Sequence, residues 1–171
     1  MGHLAFMSRF FTLLAFAALA LAVALMVSRP VRARLVATPG AAGMLAWLIA
    51  ATSMAGSLYY SEIVGFEPCR LCWYQRIAMY PLVVVLGIAA WRRDVGVWRY
   101  AVPLSGIGLA ISSYHYLLQQ FPGLGAAGCS VGVPCTSAWV WELGFVSIPF
   151  MAGSGFIAIT TLLLVARRGS E

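Results

Sequence analysis

Charged residues are scarce in this sequence, and lysine is absent from it. Only 9% of the 171 residues are charged and 62% are hydrophobic, whereas roughly 25% of an ordinary soluble domain is charged. Too few polar side chains exist to cover a water-soluble globule, and the high hydrophobic fraction excludes a disordered chain. The net charge of +6 rests on 11 arginines spread along the chain, not on the basic patch of a nucleic-acid-binding protein. The composition therefore predicts an integral membrane protein that contacts lipid and binds no nucleic acid.

Five apolar stretches bounded by charged residues mark the expected membrane spans. They cover residues 10–27, 41–64, 77–91, 100–118 and 143–166. A spanning helix needs about 20 residues, within a range of roughly 17 to 25, so the third stretch is short. It can still cross if Trp73 and Tyr74 lie at the interface and Arg76 extends its side chain outward. Since no stretch alternates polar and apolar residues, we expect helices and not barrel strands.

The arginines divide unevenly between the two sides of this helix array. Eight of them follow the first, third and fifth spans: Arg29, Arg32, Arg34, Arg92, Arg93, Arg99, Arg167 and Arg168. An even number of helices separates these groups, so all eight lie on one side, which the positive-inside rule makes cytoplasmic. The loops 65–75 and 119–142 are therefore expected to face outward.

The first span imitates a secretory signal, because a charged start and an apolar core precede Val31-Arg32-Ala33. Cleavage there would leave Arg34 and a new amino terminus outside, yet the following helix must still carry its own end outward. Since these requirements conflict, we expect a retained helix with the amino terminus outside.

All four cysteines fall in the two outward loops. Cys69 and Cys72 form a Cys-x-x-Cys motif in the first loop, and Cys129 and Cys135 lie in the second. Disulfides persist outside the cytosol, and four cysteines allow three pairings. The second pair lies in a glycine-rich segment, residues 121–132, which we expect to be mobile and able to carry these cysteines between partners.

The surroundings of the first pair favour redox exchange. A Cys-x-x-Cys disulfide opens without unfolding its host, and neighbouring positive charge favours the reactive thiolate. If a helix begins near Cys72, Arg76 lies one turn further along on the same face, and Pro68 is suited to the first turn. Because Arg76 must lie near the interface, Cys72 is expected close to the hydrocarbon, where a lipid-soluble reactant can reach it.

Other readings of these residues remain open. The four cysteines could form two structural disulfides or a zinc site, although the five-residue spacer of the second pair exceeds the usual zinc spacing. Arg76 could be an interfacial anchor. His115, a polar residue in an apolar helix, has either a functional role or a hydrogen bond between helices.

The segment EPCRLCWYQR, residues 67–76, resembles the signature of the DsbB disulfide-forming membrane oxidoreductases. GVPC at 132–135 and LGFVSIP at 143–149 resemble its BdbC-type branch. The resemblance extends over about residues 41–166. It implies an all-α integral membrane protein, a four-helix transmembrane bundle in residues 41–171, so that residues 1–40 add one extra N-terminal transmembrane helix and a basic cytoplasmic loop.

The activity that the resemblance implies is a relay between two cysteine pairs. The family reoxidises a thioredoxin-like thiol oxidase of the DsbA or BdbD type outside the membrane and passes the electrons to a quinone, ubiquinone or menaquinone. By that resemblance, Cys129 and Cys135 would be the loop disulfide that meets the partner, with Cys129 in the mixed disulfide. Cys69 and Cys72 would be the quinone-facing pair, with Cys72 nearest the ring.

Two further residues match the family's quinone site. Arg76 corresponds to its arginine, and His115 falls where some members carry a histidine near that site, so the implied quinone-binding residues are Arg76, Cys72 and His115. The separation between Cys129 and Cys135 is short compared with the better-known branch. A large shuttling movement is therefore not implied.

Three other functions compete with this relay. A vitamin-K-epoxide-reductase-like enzyme also carries two cysteine pairs, but its loop pair precedes the Cys-x-x-Cys, whereas Cys69 and Cys72 come first here. A scaffold with structural disulfides predicts that replacing Cys72 costs only stability. A transporter would need buried charged pairs and inverted repeats, which are not visible in the sequence.

Overall fold

The computed structural model describes residues 2–38, 40–124, 129 and 133–170, and within these ranges most residues lie in helices. The helices are α1 (Gly2–Val27), α2 (Arg29–Ala37), α3 (Ala41–Leu58), α4 (Arg70–Arg92), α5 (Trp98–Gln120) and α6 (Ile148–Ser170). A π-helical turn, Tyr59–Ile63, extends α3, and short 3-10 turns, Val95–Val97 and Pro122–Leu124, flank α5. An all-α fold, as expected from the sequence, is confirmed.

Within the described residues, four helices are long and apolar enough to cross a membrane: α1, α3 with its π-helical turn, α4 and α6. Helix α5 also has 23 residues, and 23 residues rise by about 34 Å. Its three serines and His115 make it less apolar than the others, and it packs against α4 and α6. The fourth expected span is thus a helix of membrane length whose polar groups lie partly inside the bundle.

Helix α4 begins earlier than the apolar stretch at residue 77 suggests. Cys69 adopts an extended backbone as the N-cap, and its sulfur accepts a hydrogen bond from the backbone N–H of Cys72 at 3.4 Å. This cap starts the helix at Arg70, so α4 has 23 residues. The expectation of a short third span is wrong, because Trp73, Tyr74 and their neighbours belong to the helix.

Helix α6 begins later than residue 143, where the apolar stretch starts. Leu143 and Gly144 have left-handed φ angles of 54° and 78°, which a helix cannot continue. The turn closes where Glu142 and Val146 pair through two backbone hydrogen bonds of 2.9 and 2.8 Å. The last expected span therefore starts at Ile148, and the preceding residues form part of the loop between α5 and α6.

Small residues allow the helices of the bundle to approach one another closely. Ala46 and Ala50 of α3 are completely buried in the same core as Leu82 and Leu86 of α4. Such close approach is the main source of helix association within a membrane.

Helix α1 is packed into this bundle. Its buried residues, Ser8, Thr12, Ala15, Ala18, Ala22 and Leu25, recur at intervals of three or four, and α1 packs mainly against α6. The Tyr60 hydroxyl lies 3.3 Å from the Ser8 hydroxyl, and Phe16 contacts the rings of Phe145 and Phe150. The extra helix therefore belongs to the fold and shapes its interior.

Candidate functional site

Two free cysteines occupy the first turn of α4. The Sγ atoms of Cys69 and Cys72 are 3.0 Å apart, and neither is in a disulfide. Cys69 is buried and Cys72 is half-buried. Because both sulfurs lie at a helix N-terminus, the unpaired backbone N–H groups there favour a negatively charged sulfur. The pair is arranged to close and reopen a disulfide within one helical turn.

Cys69 is the more acidic thiol of this arrangement. The hydrogen bond with the Cys72 side chain, aided by His115, lowers the pKa of the Cys69 thiol to about 4, although burial of the sulfur opposes this. A thiolate is both the attacking group in disulfide exchange and the form from which electrons leave. The reduced pair should therefore hold a thiolate at neutral pH.

Titration of the anaerobically reduced protein tests this. Since the folded pKa lies below that of an unfolded thiol, about 8.5, thiolate absorbance should persist at neutral pH and disappear as the pH falls through about 4. The thiolate also stabilises the folded protein. This contribution is complete above the pKa that the thiol has in the unfolded chain, and it is lost as the pH falls through the pKa that the thiol has in the folded protein. Cys72→Ala should move the titration upward, and absorbance that develops only near the unfolded value in the wild type would contradict the assignment.

His115 connects the two cysteine pairs. It is 1% exposed, its Nε2 lies 3.6 Å from the Cys69 sulfur, and the same nitrogen lies 3.1 Å from the carbonyl oxygen of Cys135. Because a carbonyl can only accept, Nε2 carries the proton, and Nδ1 accepts from the Gln75 amide at 2.8 Å. The geometry thus places His115 beside the thiols. It is not among the described residues that line the neighbouring cavity, and its expected role in quinone binding stays a prediction.

The second pair is joined by a disulfide between Cys129 and Cys135. Both cysteines are buried, at 7% and 0% exposure, and they pack in one apolar cluster with Cys69 and Leu118. Of the three pairings that the sequence allows, the structure therefore has the local one in this loop. Most of the segment expected to be mobile, residues 125–128 and 130–132, lies outside the described residues.

A cavity of about 380 Å³ opens onto the first pair. Cys72, Gln75 and Arg76 line one end, and the lining continues along α3, α6 and α1. An aromatic stack borders this end: Phe66 lies with ring centroids 5.0 Å from Trp139 and 6.0 Å from Tyr60. The cavity thus begins at the N-terminal end of α4 and extends into the bundle.

Arg76 is held at the cavity by α3. Its Nε donates to the Ser57 hydroxyl at 2.9 Å and its terminal nitrogen to the Ser57 carbonyl at 3.1 Å. The Tyr80 hydroxyl approaches the same Ser57 hydroxyl at 3.4 Å, and the Trp73 ring lies 5.2 Å from the guanidinium carbon. The guanidinium therefore has a fixed position, which a solvated interfacial anchor does not need.

The cavity suits a lipid-soluble quinone. Most of its lining is aliphatic or aromatic, and the polar groups gather at one end around Cys72 and Arg76. A mainly apolar cavity with a small number of polar groups at defined positions is typical of a small-molecule site. The described residues therefore fit a molecule with an apolar tail and one polar ring.

A metal ion is the alternative occupant of the thiol pair. The ligand atoms of Cys69, Cys72 and His115 lie within 4.8 Å of one another, whereas the disulfide removes the other two thiolates from the four-cysteine zinc site considered above. Two thiolates on tetrahedral zinc, at bonds of about 2.3 Å, are about 3.8 Å apart, and these sulfurs are at 3.0 Å. The spacing favours a dithiol over a zinc site.

Sequence reasoning found the cysteines and Arg76 but missed the residues that orient them. Gln75 carried little signal, because it fell in the loop predicted for residues 65–75, where a polar side chain is expected. Ser57 carried none, since serine in a membrane helix commonly bonds its own backbone. Its contact with Arg76 joins residues 19 positions apart and arises only from the packing of α3 on α4.

A helical membrane bundle that packs a free Cys-x-x-Cys beside a second, disulfide-bonded cysteine pair belongs to the class of membrane disulfide oxidoreductases. Comparison with known families is more specific. The model of the family described as "Disulfide bond formation protein DsbB" matches residues 39–166, and the chain belongs to this family.

Named relatives support the same assignment. The chain is 48% identical to the "Probable disulfide formation protein" of Oceanobacillus iheyensis over 128 residues, which cover 73% of this chain and 88% of that protein. It is 48% identical to "Disulfide bond formation protein C" of Bacillus subtilis over 122 residues, 71% of this chain and 88% of that one. No solved structure gives a significant match. Membership of the DsbB family removes the vitamin-K-epoxide-reductase-like reading.

Proposed function

We propose that this protein reoxidises a thioredoxin-like thiol oxidase outside the cytoplasm and passes the electrons to a membrane quinone. The observation that carries the proposal is the continuity of the site. The cavity touches Cys72, Cys72 touches Cys69, and His115 joins Cys69 to the Cys135 carbonyl. A lipid-soluble acceptor and a protein donor would thus meet opposite ends of one short path.

The buried disulfide is the entry point for electrons from the partner. A thiolate of a DsbA- or BdbD-type oxidase attacks the sulfur of Cys129, the slightly more exposed member of the pair. A mixed disulfide forms, the partner's second thiol resolves it, and the partner leaves oxidised while Cys129 and Cys135 are left as two thiols. Exchange of this kind needs only a thiolate and a disulfide.

Electrons then pass between the pairs inside the apolar cluster. One loop thiolate attacks the Cys69–Cys72 disulfide, the second loop thiol resolves the new mixed disulfide, and the loop disulfide reforms as Cys69 and Cys72 become thiols. The Nε2–H group of His115 donates to the Cys135 carbonyl and lies near the Cys69 sulfur, on which negative charge develops. Its tautomer is maintained by Gln75.

Cys72 and Arg76 would hold the head group of the quinone at the end of the cavity. When bound, a quinone would take up two electrons and two protons. The electrons and one proton would come from Cys69 and Cys72 as their disulfide reforms, and the second proton would come from water, because Cys69 is already a thiolate. Arg76 stabilises negative charge in a site with few other polar groups, where such an interaction is stronger than in water. The hydrogen bonds with Ser57 keep the Arg76 guanidinium directed at this end of the cavity.

The orientation of the site follows from the ends of the helices. Arg167 of α6 lies with its guanidinium carbon 4.2 Å from the Trp98 ring at the start of α5, so the basic ends of α4, α5 and α6 gather at one end of the bundle. The cysteines lie at the other. By the positive-inside rule, we propose that the cysteine loops face the extracytoplasmic side of the plasma membrane.

A count of electrons tests the proposal directly. The protein is purified in detergent, reduced at all four thiols, freed of reductant and mixed anaerobically with quinone. We expect about two quinols per protein, one for each disulfide formed, with four thiols lost. Thiols that disappear without quinol, or no reaction at all, would refute the quinone role and return the cysteines to a structural or metal-binding reading, which zinc analysis would separate.

A further inference from the structure

Helix α1 precedes residues 39–166, the part of the chain that matches the family, and yet it lines the cavity at Cys72. We propose that α1 is a specificity-determining wall of the quinone site, which encloses the isoprenoid tail within the protein and selects tails by their width. This inference rests on the proposed function. It assigns to the extra helix a role in binding and none in electron transfer.

One face of α1 forms the wall. Phe11, Leu14, Ala15, Ala18 and Leu21 line the cavity, and their spacing of three and four residues places them along one side of a helix. A neighbouring stripe of the same helix is buried in the bundle. The two stripes share Ala15 and Ala18, so this side of the helix both packs on the bundle and borders the cavity.

The wall extends through much of the membrane. On α3 the lining runs from Leu45 to Ser61, which corresponds to about 24 Å of helix axis. Helix α1 contributes from Phe11, near the thiol end, to Leu21, close to the basic end. The hydrocarbon core is about 30 Å thick, so the cavity has the length to hold an extended apolar chain and not only a ring.

Contacts at both ends keep the wall in place. At the thiol end, the Phe11 ring packs so closely on Gly56 that a Cβ there would lie 3.0 Å from a ring carbon, and Ser8 meets the Tyr60 hydroxyl. Toward the basic end, Ala22 and Leu25 are each 1% exposed. With α1 fixed in this way, the width of the cavity depends on the side chains that α1 presents.

Ala18 sets that width midway along the wall. It lines the cavity and is 9% exposed, and its single methyl group leaves space that a larger residue would fill. A phenylalanine at this position should obstruct a tail while leaving the head-group end, about two helical turns away along α1 near Phe11, unchanged. The expected signature is a loss of affinity for tailed quinones alone.

The test compares binding of menaquinone, with its full tail, and menadione, the same head group without the tail. Quenching of tryptophan fluorescence reports binding, because Trp139 lines the cavity, and the quinone extracted from washed protein gives a second readout. Ala18→Phe should weaken menaquinone binding by roughly 10-fold or more, as expected for overpacking of a fitted site, with menadione changed less than about twofold. The exposed Ala20→Phe, on the opposite side of α1, is the matched control and should change neither.

A smaller substitution at Ala18 keeps the test informative if the phenylalanine variant does not fold. If Ala18→Phe unfolds in detergent, Ala18→Leu should show the same selective loss with a smaller amplitude. Two outcomes would contradict the role of α1 and leave the proposed function intact. In one, the variant binds menaquinone as tightly as the wild type does. In the other, a folded variant loses the same affinity for menaquinone and for menadione. A wild-type protein that binds neither ligand, and no tailed or tail-free ubiquinone analogue, would overturn both.

Discussion

Replacing Cys72 with serine is expected to abolish quinol formation while leaving the protein folded. Cys72 is the cysteine that lines the cavity, and without its sulfur Cys69 has no partner within the helical turn. Serine is close in size, and the site tolerates a polar atom because the Cys72 side chain is only half-buried. Anaerobic quinol formation should fall to the background rate, and thermal unfolding should change little.

The same variant should accumulate a bridge between the two pairs. Once Cys69 is left as a lone thiolate, its attack on the adjacent disulfide gives a mixed disulfide with Cys129 or Cys135. Only the loop thiolate released in that step can reverse it, because Cys72 is no longer there to resolve it in the other direction. All three cysteines belong to one packed cluster, so little rearrangement is required. Mass spectrometry of peptides after alkylation should detect this bridge in Cys72→Ser, and it should be absent from the wild type.

The matched control removes the other pair. A protein in which Cys129 and Cys135 are both serine should still reduce quinone after chemical reduction, giving about one quinol per protein, but should no longer oxidise the partner. If Cys72→Ser lost only stability and formed quinol at the wild-type rate, Cys72 would not be the electron donor and this assignment would be wrong.

The family resemblance implied the two cysteine pairs, and the spacing within each pair makes local pairing easy. Cys69 and Cys72 are three residues apart, so one helical turn suffices, and Cys129 and Cys135 close a small loop. His115 required the tertiary structure: its contacts with Cys69 and Gln75 join residues 46 and 40 positions apart. A polar residue in an apolar helix indicates a partner but cannot identify it.

The helix boundaries show a similar division between local and tertiary information. Apolar stretches located the spans, but hydropathy does not register the Cys69 cap that starts α4 or the left-handed Leu143 that delays α6. The position of α1 in the bundle depends even more on tertiary packing. Its cavity-facing alanines look like ordinary membrane residues in the sequence, and their position beside the route to Cys72 depends on packing against α3 and α6.

Arg76→His is expected to slow quinone reduction by roughly 10- to 100-fold, the usual range for losing a charged hydrogen-bond donor at a reaction centre. Histidine is shorter and largely neutral at neutral pH, so it reaches the cavity end poorly and also loses the two contacts to Ser57. Exchange between the partner and the Cys129–Cys135 disulfide should keep its rate, because Arg76 contacts neither of these cysteines.

Arg70→Gln is the matched control, since Arg70 lies between the two cysteines but is exposed. Its loss should change quinone reduction by less than about threefold, as expected for a solvated charge. Ser57→Ala should give an intermediate loss and a raised KM for quinone, because the guanidinium remains but is no longer held in place. Single-turnover rates of the two half-reactions separate these cases. Equal slowing of both half-reactions in Arg76→His would mean that the arginine supports the fold around the thiols and not the transfer of electrons into the cavity.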